Sequence, residues 1–166
     1  MLSVIIRDIV PGDNERIAFI IRSVLEDFNV PKTGSTYADE SLNHMYESYD
    51  VKDAHYFVVE LNGELIGGAG ISQLDNYKGK VCELQKMYLL PVARGKGIGS
   101  RLIQLCLEKA EELGYTECYL ETLPGMEVAQ KLYEKNGFEY LDNPMGDTGH
   151  CVCPVWMLKK LEEKAK

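Results

Sequence analysis

No uninterrupted apolar run in the 166 residues approaches the ~18 that a bilayer-crossing helix needs, so no transmembrane segment is expected. The opening stretch, residues 1–8, is a short apolar run broken by Arg7 and Asp8, unlike a signal peptide, and a cytoplasmic location is the default expectation. Positive charge is scarce too. Eighteen Lys and Arg against 26 Asp and Glu leave a net charge of −8, which argues against a protein that wraps nucleic acid, because neutralising phosphates needs a broad basic face. No disulfide framework is visible either: Cys82, Cys106, Cys118, Cys151 and Cys153 are odd in number and scattered through apolar patterns, as reduced, mostly buried thiols are. The chain lacks internal repeats and low-complexity tracts, and with 45% hydrophobic residues it is long enough for one compact core. Residues 1–166 are therefore expected to form a single domain.

What is present is a run of short β-rich segments followed by helical periodicity. Residues 4–9 read as a strand, broken by Pro11-Gly12-Asp13, which offers a helix N-cap. Ile17, Ile20, Ile21, Val24, Leu25 and Phe28 then recur at helical spacing and predict one buried stripe. A second helix is expected over residues 39–49. Two β-rich runs, 55–61 and 64–71, joined by Asn62-Gly63 form a strong hairpin signal, since a type I′ turn needs positive φ at both central positions. Residues 81–90 continue the antiparallel meander and end at Pro91. Strict alternation along this strand would put Glu83, Gln85, Met87 and Leu89 on one face.

From Gly97 the pattern turns helical, with Ile98, Leu102, Ile103, Cys106, Ala110 and Leu113 on one face and Gly114 as the closing residue. A strand over 118–122 makes the unit strand, helix, strand, which implies a parallel pair with a right-handed crossover. Residues 127–135 form a further helix with Val128, Ala129, Leu132 and Tyr133 inward, and 138–141 and 152–158 read as closing strands. The expected architecture is α/β (α+β), a mixed sheet of about six or seven strands with helices on both faces.

Between the strand and the helix lies Arg94-Gly95-Lys96-Gly97-Ile98-Gly99. Glycines here let backbone N–H groups approach a ligand at the positive end of a helix, and Arg94, Lys96 and Arg101 supply local positive charge, so the loop suits an anion. A nucleoside-triphosphate loop would need Lys-Ser or Lys-Thr after its last glycine, whereas Gly99 is followed by Ser100-Arg101. A dinucleotide fingerprint would stand in a first βα turn, not after a meander. By itself such a loop is equally compatible with a tight turn.

This run matches the R/Q-x-x-G-x-G/A signature of the GNAT superfamily of acyl-CoA-dependent N-acyltransferases. The segment Ala129-Gln130-Lys131-Leu132-Tyr133-Glu134-Lys135-Asn136-Gly137-Phe138 resembles that superfamily's A-x-x-L-Y-x-x-x-G-F. The resemblance covers residues 4–158 and is weakest over 30–49, where members bind different acceptors. It implies a GNAT-like fold and an N-acetyltransferase using acetyl-CoA as acetyl donor, with no metal. Backbone groups of Met87, Tyr88 and Leu89 would meet the pantetheine arm, and Arg94, Gly95, Lys96, Gly97, Ile98, Gly99 and Ser100 would hold the pyrophosphate.

The resemblance further makes Tyr133 the general acid for the departing thiolate, beside the plainer reading that it packs on its helix stripe. Glu83 becomes the candidate base, beside a surface role or a cross-strand partnership with Lys86, with Glu121 as runner-up. Where many members carry an Asn seven residues before the tyrosine, this chain has Met126, which has no amide to donate. His150-Cys151-Val152-Cys153 lacks the second spaced pair a structural zinc site needs and reads as strand. The acidic surface favours a small cationic or zwitterionic primary amine, an amino acid or similar metabolite, as acceptor. Rivals are a protein N-terminal or lysine acetyltransferase and a non-catalytic acyl-CoA-binding module. No nucleic-acid or membrane partner is expected, and a homodimer is left open.

Overall fold

The structure is a computed structural model that describes residues 3–33, 36–148 and 154–161. In chain order it comprises β1 (Val4–Asp8), α1 (Asn14–Asp27), α2 (Met45–Tyr49), β2 (His55–Leu61), β3 (Glu64–Gln73), β4 (Val81–Leu89), α3 (Ile98–Glu112), β5 (Glu117–Thr122), α4 (Glu127–Lys135), β6 (Glu139–Leu141) and β7 (Val155–Lys160). The strands form one seven-stranded sheet in the order β1-β2-β3-β4-β5-β7-β6. Every neighbouring pair is antiparallel except β4 and β5, as the strand-helix-strand pattern requires.

The hairpin between β2 and β3 turns at Asn62 (φ 52°) and Gly63 (φ 86°), both in the left-handed region that the Asn-Gly pair predicts. Helices cover both faces of the sheet. On one, Ile98, Leu102, Ile103 and Cys106 of α3 pack with Tyr133 of α4 over Val59, Ile71 and Cys82; on the other, Ile17, Ile20, Ile21 and Leu25 of α1 and Met45 of α2 pack over Tyr56 and Val58. Cys82, Cys106 and Cys118 are buried free thiols, while Cys151 and Cys153 lie outside the described residues. No helix among the described residues is long and apolar enough to cross a membrane.

Several local expectations change. Asp13 does stand at the head of α1, but its carboxylate turns back to accept the Val10 N–H (2.9 Å) and to pair with Arg7 (2.8 Å), which also pairs with Glu60 (2.5 Å). The helix expected over 39–49 is split into a 3-10 segment, Glu40–His44, and the five-residue α2. The last strand begins at Val155, and Val152 and the His150-Cys151-Val152-Cys153 run lie outside the described residues. Two residues assigned to buried stripes are not buried: Phe28, just past α1, is 40% exposed, and Val128 on α4 is 80% exposed.

Tyr49, Tyr56 and Tyr133 are buried, and burial pushes the pKa of each phenol above its ordinary value. Each folded-state pKa therefore exceeds the unfolded value of about 10, so the unfolded chain loses these protons first. Their contribution to stability is complete below that pH and is lost as pH climbs through it. The melting temperature should fall progressively from pH 9.5 to pH 11, a range in which a curve that stays level would contradict this account.

Candidate active site

The centre of the sheet carries a defect that organises everything around it. Between the pairs Gly68↔Tyr88 and Gly70↔Gln85, β3 uses one residue, Ala69, where β4 uses two, Lys86 and Met87. This is a β-bulge, and Lys86 absorbs it with φ 50°, a conformation uncommon for a non-glycine residue. The Tyr56 hydroxyl donates to the Lys86 carbonyl (2.7 Å) and holds the bulge from below. Room for that ring comes from glycines: a Cβ at Gly68 would lie 2.6 Å, and one at Gly70 2.5 Å, from Tyr56 ring carbons.

The extra residue inverts side-chain parity along β4. Before it, Cys82 and Leu84 face the α3 side; after it, Met87 and Leu89 do, while Tyr88 and Leu90 pack toward α1. The expected common face of Glu83, Gln85, Met87 and Leu89 therefore does not exist: Glu83 and Gln85 share one face, hydrogen-bonded side chain to side chain at 2.7 Å, and Met87 and Leu89 lie on the other. A one-residue slip has this effect because strand side chains alternate with period two.

The bulged strand also bends away from its parallel neighbour. β4 and β5 pair only through Val81↔Glu117, Cys82↔Cys118 and Glu83↔Tyr119, whereas β5 stays paired with β7 from Glu117 to Thr122. Beyond Glu83 a gap opens in the sheet, lined by Leu84 to Tyr88 on one side, Leu120 to Leu123 on the other, and Met126, Ala129 and Tyr133 of the α4 region. Past Glu83 β4 and β5 share no ladder among the described residues, so a ligand with amide groups can add hydrogen bonds along this edge of β4.

From the gap a groove of about 320 Å³ runs between β4 and α4, bordered by Met87, Tyr88, Leu89, Arg94, Leu132 and Tyr133. Phe28 and Val128 line this groove too, which explains their exposure: they form apolar lips instead of core. The Arg94 guanidinium sits 5.8 Å from the Phe28 ring centroid, a cation–π arrangement that steadies the long side chain. Gly95 (φ 76°) and Gly97 (φ 73°) adopt left-handed backbone with open space above them, so the loop leads into the first turn of α3 without side-chain cover. Gly99 is there for a different reason, since a Cβ would come within 2.7 Å of the Leu132 side chain.

On the opposite mouth of the gap lies a polar cleft of about 350 Å³, lined by Asp39, Glu40, Ser41, Ser48, Tyr49, Ser72, Asp75, Glu83, Gln85, Lys86 and Thr148. Glu83 lines both the gap and this cleft and is only 4% exposed. Its carboxylate accepts from Gln85, whose own carbonyl accepts from the Tyr49 hydroxyl (2.6 Å), so a relay of neutral groups fixes its orientation. Lys86 is not its ion-pair partner; the ammonium lies over the Tyr49 ring, 5.6 Å from the centroid. Glu121 is engaged differently, accepting from the Tyr119 hydroxyl (2.7 Å) and from the Thr148 hydroxyl. Tyr133 is 8% exposed, and burial pushes its pKa up to about 12, so the phenol is protonated at neutral pH.

Glu83, Met87, Tyr88 and Tyr133 thus come together around one opening, with Leu89 and Arg94 along the groove and residues 95–100 at its end. The polar cleft residues Gln85, Lys86 and Asp75 were not among the sequence candidates for the site. A cue to the bulge did exist: Gly67, Gly68 and Gly70 inside a strand signal a close backbone approach or a bulge.

The model of the acetyltransferase (GNAT) family matches residues 21–138 of this sequence. The chain belongs to that family. It is 42% identical over 160 residues to the uncharacterized N-acetyltransferase YjgM of Escherichia coli (strain K12), with 96% of each chain covered. Among solved structures, a GNAT-family acetyltransferase from Staphylococcus aureus Mu50 superposes with a TM-score of 0.85 at 21% identity, covering 96% of this chain and all of the other. YncA of Salmonella typhimurium, solved with its cofactor acetyl-CoA, superposes with a TM-score of 0.76 at 20% identity, covering 99% of this chain and 97% of that one. These two likenesses show the fold, a seven-stranded mixed sheet shared with GNAT acetyltransferases.

Gly70→Ala should overpack Tyr56 and cost about 1–3 kcal/mol, and Tyr56→Phe, which leaves the Lys86 carbonyl without its donor, about 1 kcal/mol. Urea unfolding of both variants checks this; a Gly70→Ala midpoint equal to that of the parent would mean the bulge does not depend on the ring.

Proposed function

We propose that this acetyltransferase, acting as one domain, moves the acetyl group of acetyl-CoA to the primary amine of a small metabolite, an amino acid or similar compound, by direct attack in a ternary complex. The observation that carries the reading is the position of Glu83, a buried carboxylate that borders the sheet gap on one side and the polar cleft on the other. The donor would lie in the groove, its pantetheine amides along β4 at Met87, Tyr88 and Leu89, and its pyrophosphate on residues 94–100 at the head of α3. Met126 stands at the head of α4, where its sulfur accepts a hydrogen bond from Thr122 (3.6 Å), so donor contacts there fall to the backbone. The cleft then receives the amine, and its size favours a metabolite over a folded protein segment.

In this scheme Glu83, directly or through water, takes a proton from the attacking ammonium. The amine nitrogen bonds to the thioester carbonyl carbon, the carbon–sulfur bond breaks, and Tyr133 gives a proton to the departing sulfur. Gln85 and Tyr49 hold the Glu83 carboxylate in place beside the cleft that receives the acceptor. Glu121, each of whose oxygens accepts from one hydroxyl, serves to hold the wall of the gap.

Coenzyme A release measured over a panel of small amines tests the proposal. Tyr133→Phe should lower kcat about 100-fold and Glu83→Gln by a similar factor, with acetyl-CoA affinity retained. Tight acetyl-CoA binding without turnover of any amine would point instead to an acyl-CoA-binding module. Because burial raises the Tyr133 pKa to about 12, the acid stays protonated well past neutrality. The kcat profile should therefore show no alkaline decline assignable to this group below pH 10, and a descending limb near pH 8 that disappears in Tyr133→Phe would refute the assignment.

A further inference from the structure

Among the described residues that line the polar cleft Lys86 is the one cation, while Asp39, Glu40, Asp75 and Glu83 supply carboxylates and Ser41, Ser48 and Ser72 supply hydroxyls. Its place there is enforced by the backbone. The bulge sets Lys86 at φ 50°, and the Tyr56 hydroxyl pins its carbonyl, so the side chain enters the cleft beside Gln85 and Glu83. The stem and ammonium lie against the Tyr49 ring, which orients the charge without neutralising it.

Among the described residues, no carboxylate comes within ion-pair distance of this ammonium. Burial lowers its pKa, and Asp39, Glu83 and Asp75 oppose that shift through space. Half-buried, and with no described carboxylate in contact, the ammonium has N–H donors to offer a ligand anion, which would form a charge-assisted hydrogen bond there.

Glu83 and Lys86 are three residues apart on β4, and both line the same cleft, Lys86 from the bulge. A base at one end and a fixed cation at the other make a template for a molecule that is both amine and acid. Resting on the acetyl-transfer reading above, we infer that the acceptor carries a carboxylate that pairs with Lys86 while its amine faces Glu83, so that Lys86 sets specificity for amino-acid-like zwitterions over plain amines.

The test compares free amino acids with their decarboxylated amines as matched pairs, for example lysine with cadaverine and tyrosine with tyramine, reading coenzyme A release. The carboxylate-bearing member of a used pair should be preferred at least ~10-fold in kcat/KM, the scale of one charge-assisted contact. Lys86→Met should shrink that ratio to within about threefold of unity, chiefly through KM, and Lys86→Arg should restore part of it. Met, Arg and Lys meet the same backbone demand at this position, so the comparison isolates the charge, and an acetyl-CoA thermal shift reports that each variant is folded. Equal use of both members of every pair, or a preference that survives Lys86→Met, would overturn the inference while leaving acetyl transfer intact. Absence of turnover in both classes, with acetyl-CoA still bound, would overturn it together with the acetyl-transfer reading.

Discussion

A single hydrogen bond, from the buried Tyr56 hydroxyl to the Lys86 carbonyl, fixes where the sheet fails to be a sheet. Around it the backbone of β4 takes one residue more than its partner, and Gly68 and Gly70 give up side chains so that the phenol ring can lie beneath the bulge. The parity inversion follows: Glu83 and Gln85 turn to the cleft, Met87 and Leu89 to the α3 layer. So does the separation of β4 from β5 after three residue pairs. A regular strand here would close the gap, leave the groove without its main-chain edge, and put Lys86 elsewhere.

Charge is distributed with the same economy. The chain as a whole is acidic, with a net charge of −8. Positive charge is nonetheless concentrated at Arg94 and Lys96 of the loop, next to the N-terminus of α3, where backbone dipoles add to it. Lys96 donates to the Val92 carbonyl (2.7 Å), and Arg94 rests on Phe28, so each cation is tethered at the end of the groove. Carboxylates dominate the other mouth, with Lys86 as the exception among its described lining residues. Two ends of opposite local sign give the opening a polarity that its overall charge does not reveal.

Much of the fold was legible in the sequence because it rests on local rules. Asn62-Gly63 names its turn type, the α3 stripe has an unbroken helical period, and Gly114 ends it at φ 90°. The loop and the Tyr133 segment pointed to the family because their residue types are tied to position. Other features were less accessible, for physical reasons. Phe28 and Val128 fit a helical period as well as any core residue, yet they face a groove, and periodicity cannot distinguish a core from a lined cleft. The bulge defeats an alternation argument by its nature, since it is the one place where period two does not hold. The cleft residues Asp39 and Asp75 arrive from segments far apart in sequence that meet only through tertiary packing, and nothing in their own neighbourhoods marks them.

The brevity of the β4–β5 contact has a mechanical side. Two well-laddered half-sheets, β1 to β4 and β5 to β7, are joined in the sheet plane by only three residue pairs, all at one end. Such an assembly resembles a book bound at one corner: its covers are stiff, and its compliance is concentrated along the open margin. Whatever lies in that margin and bonds to both covers adds a second link between the two half-sheets, beside the three residue pairs at the corner.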